Sequence, residues 1–123
     1  MTLLVVDGAN VVGSRPDGWW RDRAGAATRL RDALLPIAAD GLPDLPPPLE
    51  VVLVVEGRAR GVQTAGAVRV VAAPGSGDDT IVELVAAARP RHTVVVTADR
   101  GLRERVQALG AEVRGPRTLS PAY

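Results

Sequence analysis

Leu3-Leu4-Val5-Val6-Asp7-Gly8 opens the chain with four consecutive apolar residues stopped by an aspartate and a glycine. A short, unbroken apolar run of this kind predicts a strand buried on both faces. The pattern returns along the chain. Val51 to Val55 ends in Glu56-Gly57, Val68 to Ala72 leads to Pro74-Gly75, and Thr93 to Thr97 ends in Ala98-Asp99. Glu112 to Arg114 predicts a short fifth strand. Between these runs the period changes from two to about 3.6. Ala26, Ala27, Leu30, Leu34 and Ile37 predict a helix from about Arg23 to Ala39. Ile81, Leu84, Val85 and Ala88 predict another from about Asp78 to Ala88. Leu102, Val106 and Leu109 mark a last helix, closed by Gly110. The segment after Asp7 reads as a polar stretch with a turn at Pro16-Asp17-Gly18. Pro43 to Pro48 reads as an extended connector, and Arg58 to Gly66 as a loop with one helical turn at most. Strands alternating with helices predict an α/β fold, a parallel sheet of about five strands with helices on both faces.

The chain has 123 residues and 46% apolar content, which suits a single domain over residues 1–123. No apolar run is long enough for a membrane span, and the N-terminus lacks the basic start of a signal peptide. There are no cysteines, which excludes disulfides, thiolate zinc sites and cysteine nucleophiles. A cytoplasmic protein is the expectation. All 15 basic residues are arginine. Without lysine there is no Schiff base and no Walker lysine, whereas arginine is the better bidentate partner for phosphate.

In a doubly wound parallel sheet the site lies beyond the carboxyl ends of the strands. Asp7, Glu56 and Asp99 each follow a strand, and Asp78 and Asp79 open the helix after the third. All five are therefore directed to one edge. Asp78 lies one turn before Ile81, on the core stripe, and Asp79 is rotated about 100° away. Any one of these acids could serve merely as a helix cap, a turn former or a solvated rim residue. Together they would repel unless a cation neutralised them, and hard oxygen donors favour Mg²⁺ or Mn²⁺. Setting the five aside leaves 15 arginines against nine other acids, a net of +6. That balance suits a polyanionic substrate bound through its phosphates, with Arg58, Arg60, Arg100 and Arg103 on the segments nearest the rim.

Asp7-Gly8-Ala9-Asn10, Gly77-Asp78-Asp79-Thr80-Ile81 and Val96-Thr97-Ala98-Asp99-Arg100 occur in that order. As an ordered set they resemble the NYN branch of the PIN-like nuclease superfamily, the YacP-like group in particular. The resemblance spans nearly the whole chain. It implies a three-layer PIN-like sandwich with strand order 3-2-1-4-5 and metal-dependent hydrolysis of phosphodiester bonds, by an endoribonuclease of RNA processing or decay. It further implies that Asp7, Asp78 and Asp99 form the catalytic metal site, with Asp79 assisting or replacing Asp78. Glu56 stands where such proteins often carry an acid, commonly aspartate. Asn10 and Thr97 match positions that could orient Asp7, Asp99 or a phosphate. The expected substrate is single-stranded or loop RNA. A homodimer stays open. The rival is a non-catalytic RNA-binding or adaptor domain that keeps the fold.

Other motifs carry less. Gly75-x-Gly77 lacks the third glycine of a dinucleotide fingerprint, and the aspartates after it would repel pyrophosphate. Ala9 stands where a haloacid-dehalogenase phosphatase needs a second aspartate. Trp19 and Trp20 are two of only three aromatics; one could stack on a base, but core packing for at least one is the plainer reading. His92 falls at the start of a strand, opposite the acidic edge, and reads as structural.

Overall fold

The central strands form where the sequence places its apolar runs, and two edge strands complete the sheet. In the computed structural model, which describes residues 1–123, the strands are β1 (Thr2–Asp7), β2 (Leu49–Val55), β3 (Val68–Ala72), β4 (Thr93–Val96) and β5 (Glu112–Arg114). All neighbours run parallel, in the order β3-β2-β1-β4-β5. β1 is central: Leu4 sits beside Val51 on one side and Val94 on the other.

Side chains alternate across each strand, so neighbouring residues serve different cores. Leu4, Val6, Val51, Leu53, Val94 and Val96 meet helices α1 (Gly8–Gly13) and α2 (Arg23–Asp40) on one face. Leu3, Val5, Val52, Val54 and Val95 meet α3 (Gly77–Ala88) and α4 (Arg100–Gln107) on the other. The result is a three-layer α/β sandwich. Gly110 adopts φ +88° just past α4, the left-handed conformation that glycine tolerates best. No helix is long and apolar enough to cross a membrane.

Two segments depart from the sequence expectation. The Pro43–Pro48 connector is not extended throughout, since Leu42 and Leu45 close a tight turn through paired backbone hydrogen bonds and bury Leu45. The second segment follows β1. The stretch after Asp7 is not simply polar loop; Gly8–Gly13 forms α1. Asp7 caps it through its side chain, and Val11 and Val12 are buried against α2 and the sheet. A six-residue helix bounded by glycines has little intrinsic propensity. It exists because the sheet supplies the cap and the core takes the two valines. The tail, unassigned from sequence, forms a short turn at Pro116–Leu119 that buries Leu119 in the larger core.

Candidate functional site

The chain leaves β1 over one face through α1 and α2 to reach β2, and leaves β3 over the other face through α3 to reach β4. β1 and β4 are nevertheless neighbours. The strand order reverses between them, which opens a crevice beyond their carboxyl ends.

Asp7, the last residue of β1, stands in that crevice and is 5% exposed. Its Oδ2 accepts a hydrogen bond from Thr97 Oγ1 at 2.8 Å, and its Oδ1 faces the Asn10 N–H at 3.4 Å. Burial pushes its carboxyl up to about 6, and repulsion from Asp78 and Glu56 adds to the rise. The two hydrogen bonds act the other way and do not cancel it. Thr97, fully buried, also accepts the Asp99 N–H at its Oγ1, at 3.1 Å. Asn10 Oδ1 accepts the Ala98 N–H at 2.8 Å. The segment after β4 is thus pinned to β1 and α1 by side chains.

Asp99 caps α4, its Oδ1 accepting the Leu102 N–H at 2.9 Å, and is exposed, close enough to Asp78 to raise that carboxyl. α3 is capped by Ser76, which accepts the Asp78 N–H at 3.1 Å. Asp78 is therefore released from capping. It is half-buried, and its carboxyl is raised by burial first and then by Asp99 and Glu56, with Arg105 opposing. Asp79 behaves differently: its Oδ1 receives Arg105 Nη2 at 3.0 Å, and its side chain is 70% exposed. The adjacent pair is divided, Asp78 among the other acids and Asp79 against α4. Glu56, half-buried after β2, accepts the Gly77 N–H through Oε2.

The donor set fits a hard divalent cation. It is all oxygen, it is gathered at one edge, and the acids raise one another's proton affinity. It is not a closed cage, since no three acids stand close enough together to hold an ion as they are. Asp99 and Glu56 each give one oxygen to a helix-start N–H.

The arginines differ in what they already hold. Arg58 and Arg100 are exposed and make no ion pair. Arg60 Nη1 reaches the Pro74 carbonyl at 3.5 Å. Arg103 donates from Nε to the Thr97 carbonyl at 2.8 Å, so part of its guanidinium braces the site's backbone. His92 lies at the opposite end, bonded to Thr2 at 3.0 Å and Glu112 at 3.3 Å.

Sequence reasoning passed over three participants. Ser76 carries a readable signal, a serine three residues before an acid at a helix start. Gly8 does not: a Cβ there would lie 2.5 Å from the Val54 carbonyl oxygen, so only glycine lets α1 begin this close to β2. Arg105 meets Asp79 through the docking of α4 on α3, which local sequence does not encode.

No family model matches the chain, and no curated protein matches it in sequence. Among solved structures it is similar to Rae1 (YacP) from Bacillus subtilis, with 21% identity and a TM-score of 0.78, covering 97% of this chain and 71% of that one. A tryptophan-to-leucine mutant of the same protein superposes equally well, at 21% identity and a TM-score of 0.79, covering 97% and 72%. The chain therefore has a YacP-like fold.

Proposed function

We propose that this chain is a divalent-metal-dependent nuclease that hydrolyses phosphodiester bonds, specifically an endoribonuclease acting on single-stranded or loop RNA. The observation that carries this reading is Asp7. A buried carboxylate, raised to about 6 and pressed by two further acids, is costly to leave ionised without a cation. The YacP-like fold places it at the switch point, where doubly wound sheets bind ligands.

Asp7, Asp78 and Asp99 would hold Mg²⁺ or Mn²⁺, with Glu56 at the rim and Asp79 in reserve. A divalent ion bound among such acids polarises a phosphate and lowers the pKa of a coordinated water. Thr97 holds Asp7 in one orientation through its hydroxyl, and Asn10 fixes the position of the segment carrying Asp99. Arg58 and Arg100, free of ion pairs, would meet substrate phosphates, with Arg60 and Arg103 beside them.

The open spacing of the acids favours one second reading, a non-catalytic RNA-binding or adaptor domain. A cleavage assay on generic single-stranded RNA with Mn²⁺ separates the two. The nuclease reading expects cleavage that Asp7→Asn and Asp99→Asn each abolish. RNA binding without cleavage under any divalent ion replaces it with the adaptor reading.

A further inference from the structure

Beside the acidic site, and sharing Gly8, Glu56 and Ser76 with its surroundings, lies a cleft of about 460 Å³. That volume falls within the roughly 300–1,000 Å³ typical of small-molecule sites. Val12 and Trp19 give it an apolar wall, and Ala9, Gly57 and Gly75 leave it open by having almost no side chain. Trp19 is braced against the larger core, so its ring is held in place. The Arg23 guanidinium lies 5.2 Å from the Trp19 ring centroid. Trp20 meets Trp19 edge-on, with centroids 6.0 Å apart and planes at 88°. It is 55% exposed, with Arg21 over its own ring at 5.8 Å.

We propose that this cleft takes the nucleobase flanking the scissile phosphate, packed against Trp19, with the single strand continuing over Trp20. The proposal rests on the nuclease reading for the position of that phosphate. An aromatic wall flanked by arginine suits a flat heteroaromatic ring on a phosphate backbone. Glu56 and Gly8 lie at the junction, so a base in the cleft places its own phosphate toward Asp7. The stack itself is indifferent to base identity, because every base has a π-face.

The test compares a single-stranded oligouridylate with a base-free ribose-phosphate oligomer of the same length and charge. Affinities are measured in EDTA, so that cleavage does not intervene. The wild type is expected to bind the oligomer with bases roughly tenfold tighter or more, the scale of one base–aromatic stack. Ala9→Leu fills the cleft from an exposed position of α1 and leaves Trp19 in its packing. It should remove most of that advantage while base-free binding and its salt dependence stay unchanged. Trp20→Ala, at an exposed site, should remove a smaller part. Equal affinity for the two oligomers in the wild type, or a gap that survives Ala9→Leu, overturns the proposal. Mn²⁺-dependent cleavage is read separately. Cleavage without a base advantage overturns the subsite and leaves the nuclease reading, whereas a base advantage without cleavage keeps the subsite and removes the nuclease reading.

Discussion

Thr97 donates its hydroxyl to Asp7 Oδ2 at 2.8 Å and so joins the ends of β4 and β1 at the point where the strand order reverses. The same oxygen receives the Asp99 N–H. One buried hydroxyl therefore positions two of the three central acids.

Replacing it tests that role. Thr97→Val keeps the shape but leaves the Asp7 carboxylate and the Asp99 N–H without their partner. The expected cost is about 1–3 kcal/mol of stability, read from urea unfolding. The Asp7 carboxyl should rise further, because the lost bond holds it down. Mn²⁺ affinity should fall roughly 10–100-fold, as for other groups that orient a metal ligand. Thr97→Ser should restore most of both. A valine variant with wild-type Mn²⁺ affinity removes the positioning role.

Asp7 also sets a pH dependence. Its folded carboxyl titrates at about 6 against an ordinary 3.8, so between these values the native state binds the extra proton. Stability from this group is full below about 4 and is lost as pH rises through 6. The loss amounts to about 3 kcal/mol at neutral pH. Asp78 shifts in the same direction. Metal-free Asp7→Asn should therefore be more stable than wild type at pH 7, and the difference should vanish near pH 4. Thermal unfolding in EDTA across that range measures it. Saturating Mn²⁺ should stabilise the wild type more than the variant. A variant less stable than wild type at pH 7 in EDTA contradicts the raised carboxyl.

The two adjacent aspartates should separate in function. Asp78→Asn is expected to abolish Mn²⁺-dependent cleavage and weaken Mn²⁺ binding. Asp79→Asn loses an exposed ion pair with Arg105, worth about 0–1 kcal/mol, and should retain most activity. Calorimetric Mn²⁺ titration beside the cleavage rate distinguishes them, and equal losses from both would make Asp79 a ligand.

Gly8→Ala tests the close approach of α1 to β2. Its Cβ would fall 2.5 Å from a backbone carbonyl oxygen, which cannot swing aside as a side chain can. Overpacking of this kind costs about 1–3 kcal/mol, occasionally more. Gly57→Ala provides the contrast: its Cβ meets nothing within 4 Å, although φ +58° adds backbone strain. That strain costs about 1–2 kcal/mol, so urea midpoints should fall for both variants, with Gly8→Ala at or below Gly57→Ala.

The sheet was legible because its central strands are nearly continuous apolar runs, whereas β3 carries Arg69 and β5 is only Glu112-Val113-Arg114 at the edge. Val68–Ala72 and Glu112–Arg114 fall where the sequence puts them. The division between Asp78 and Asp79 followed from helical phase, since Asp78 shares the stripe of Ile81 and Val85. Trp19 and Trp20 diverge within the short 3-10 turn Trp19–Arg21, one against the larger core and the other into solvent. What stayed hidden depends on distant partners. α1 has little intrinsic helix propensity and holds because Asp7 caps it and α2 and the sheet bury its two valines. Arg105 reaches Asp79 only after α3 and α4 dock. The cleft beside Trp19 is formed by α1, the turn at Trp19, α2, the end of β2 with the turn after it, and the loop before α3, segments that no local pattern brings together.

The acids differ in the footing beneath them. Asp7 and Thr97 stand at the ends of strands in the middle of the sheet, and β1 is paired on both sides. Asp78 and Asp99 stand on the opening turn or cap of a helix. Backbone amides in central strands exchange with solvent only when most of the molecule opens, whereas helix starts open locally. Deuterium uptake should therefore be slowest along Leu4–Val6 and fast at the first turns of α3 and α4. A ligand that draws the acids together should slow uptake at those turns and leave the β1 amides unchanged, so the helices close onto a stationary strand.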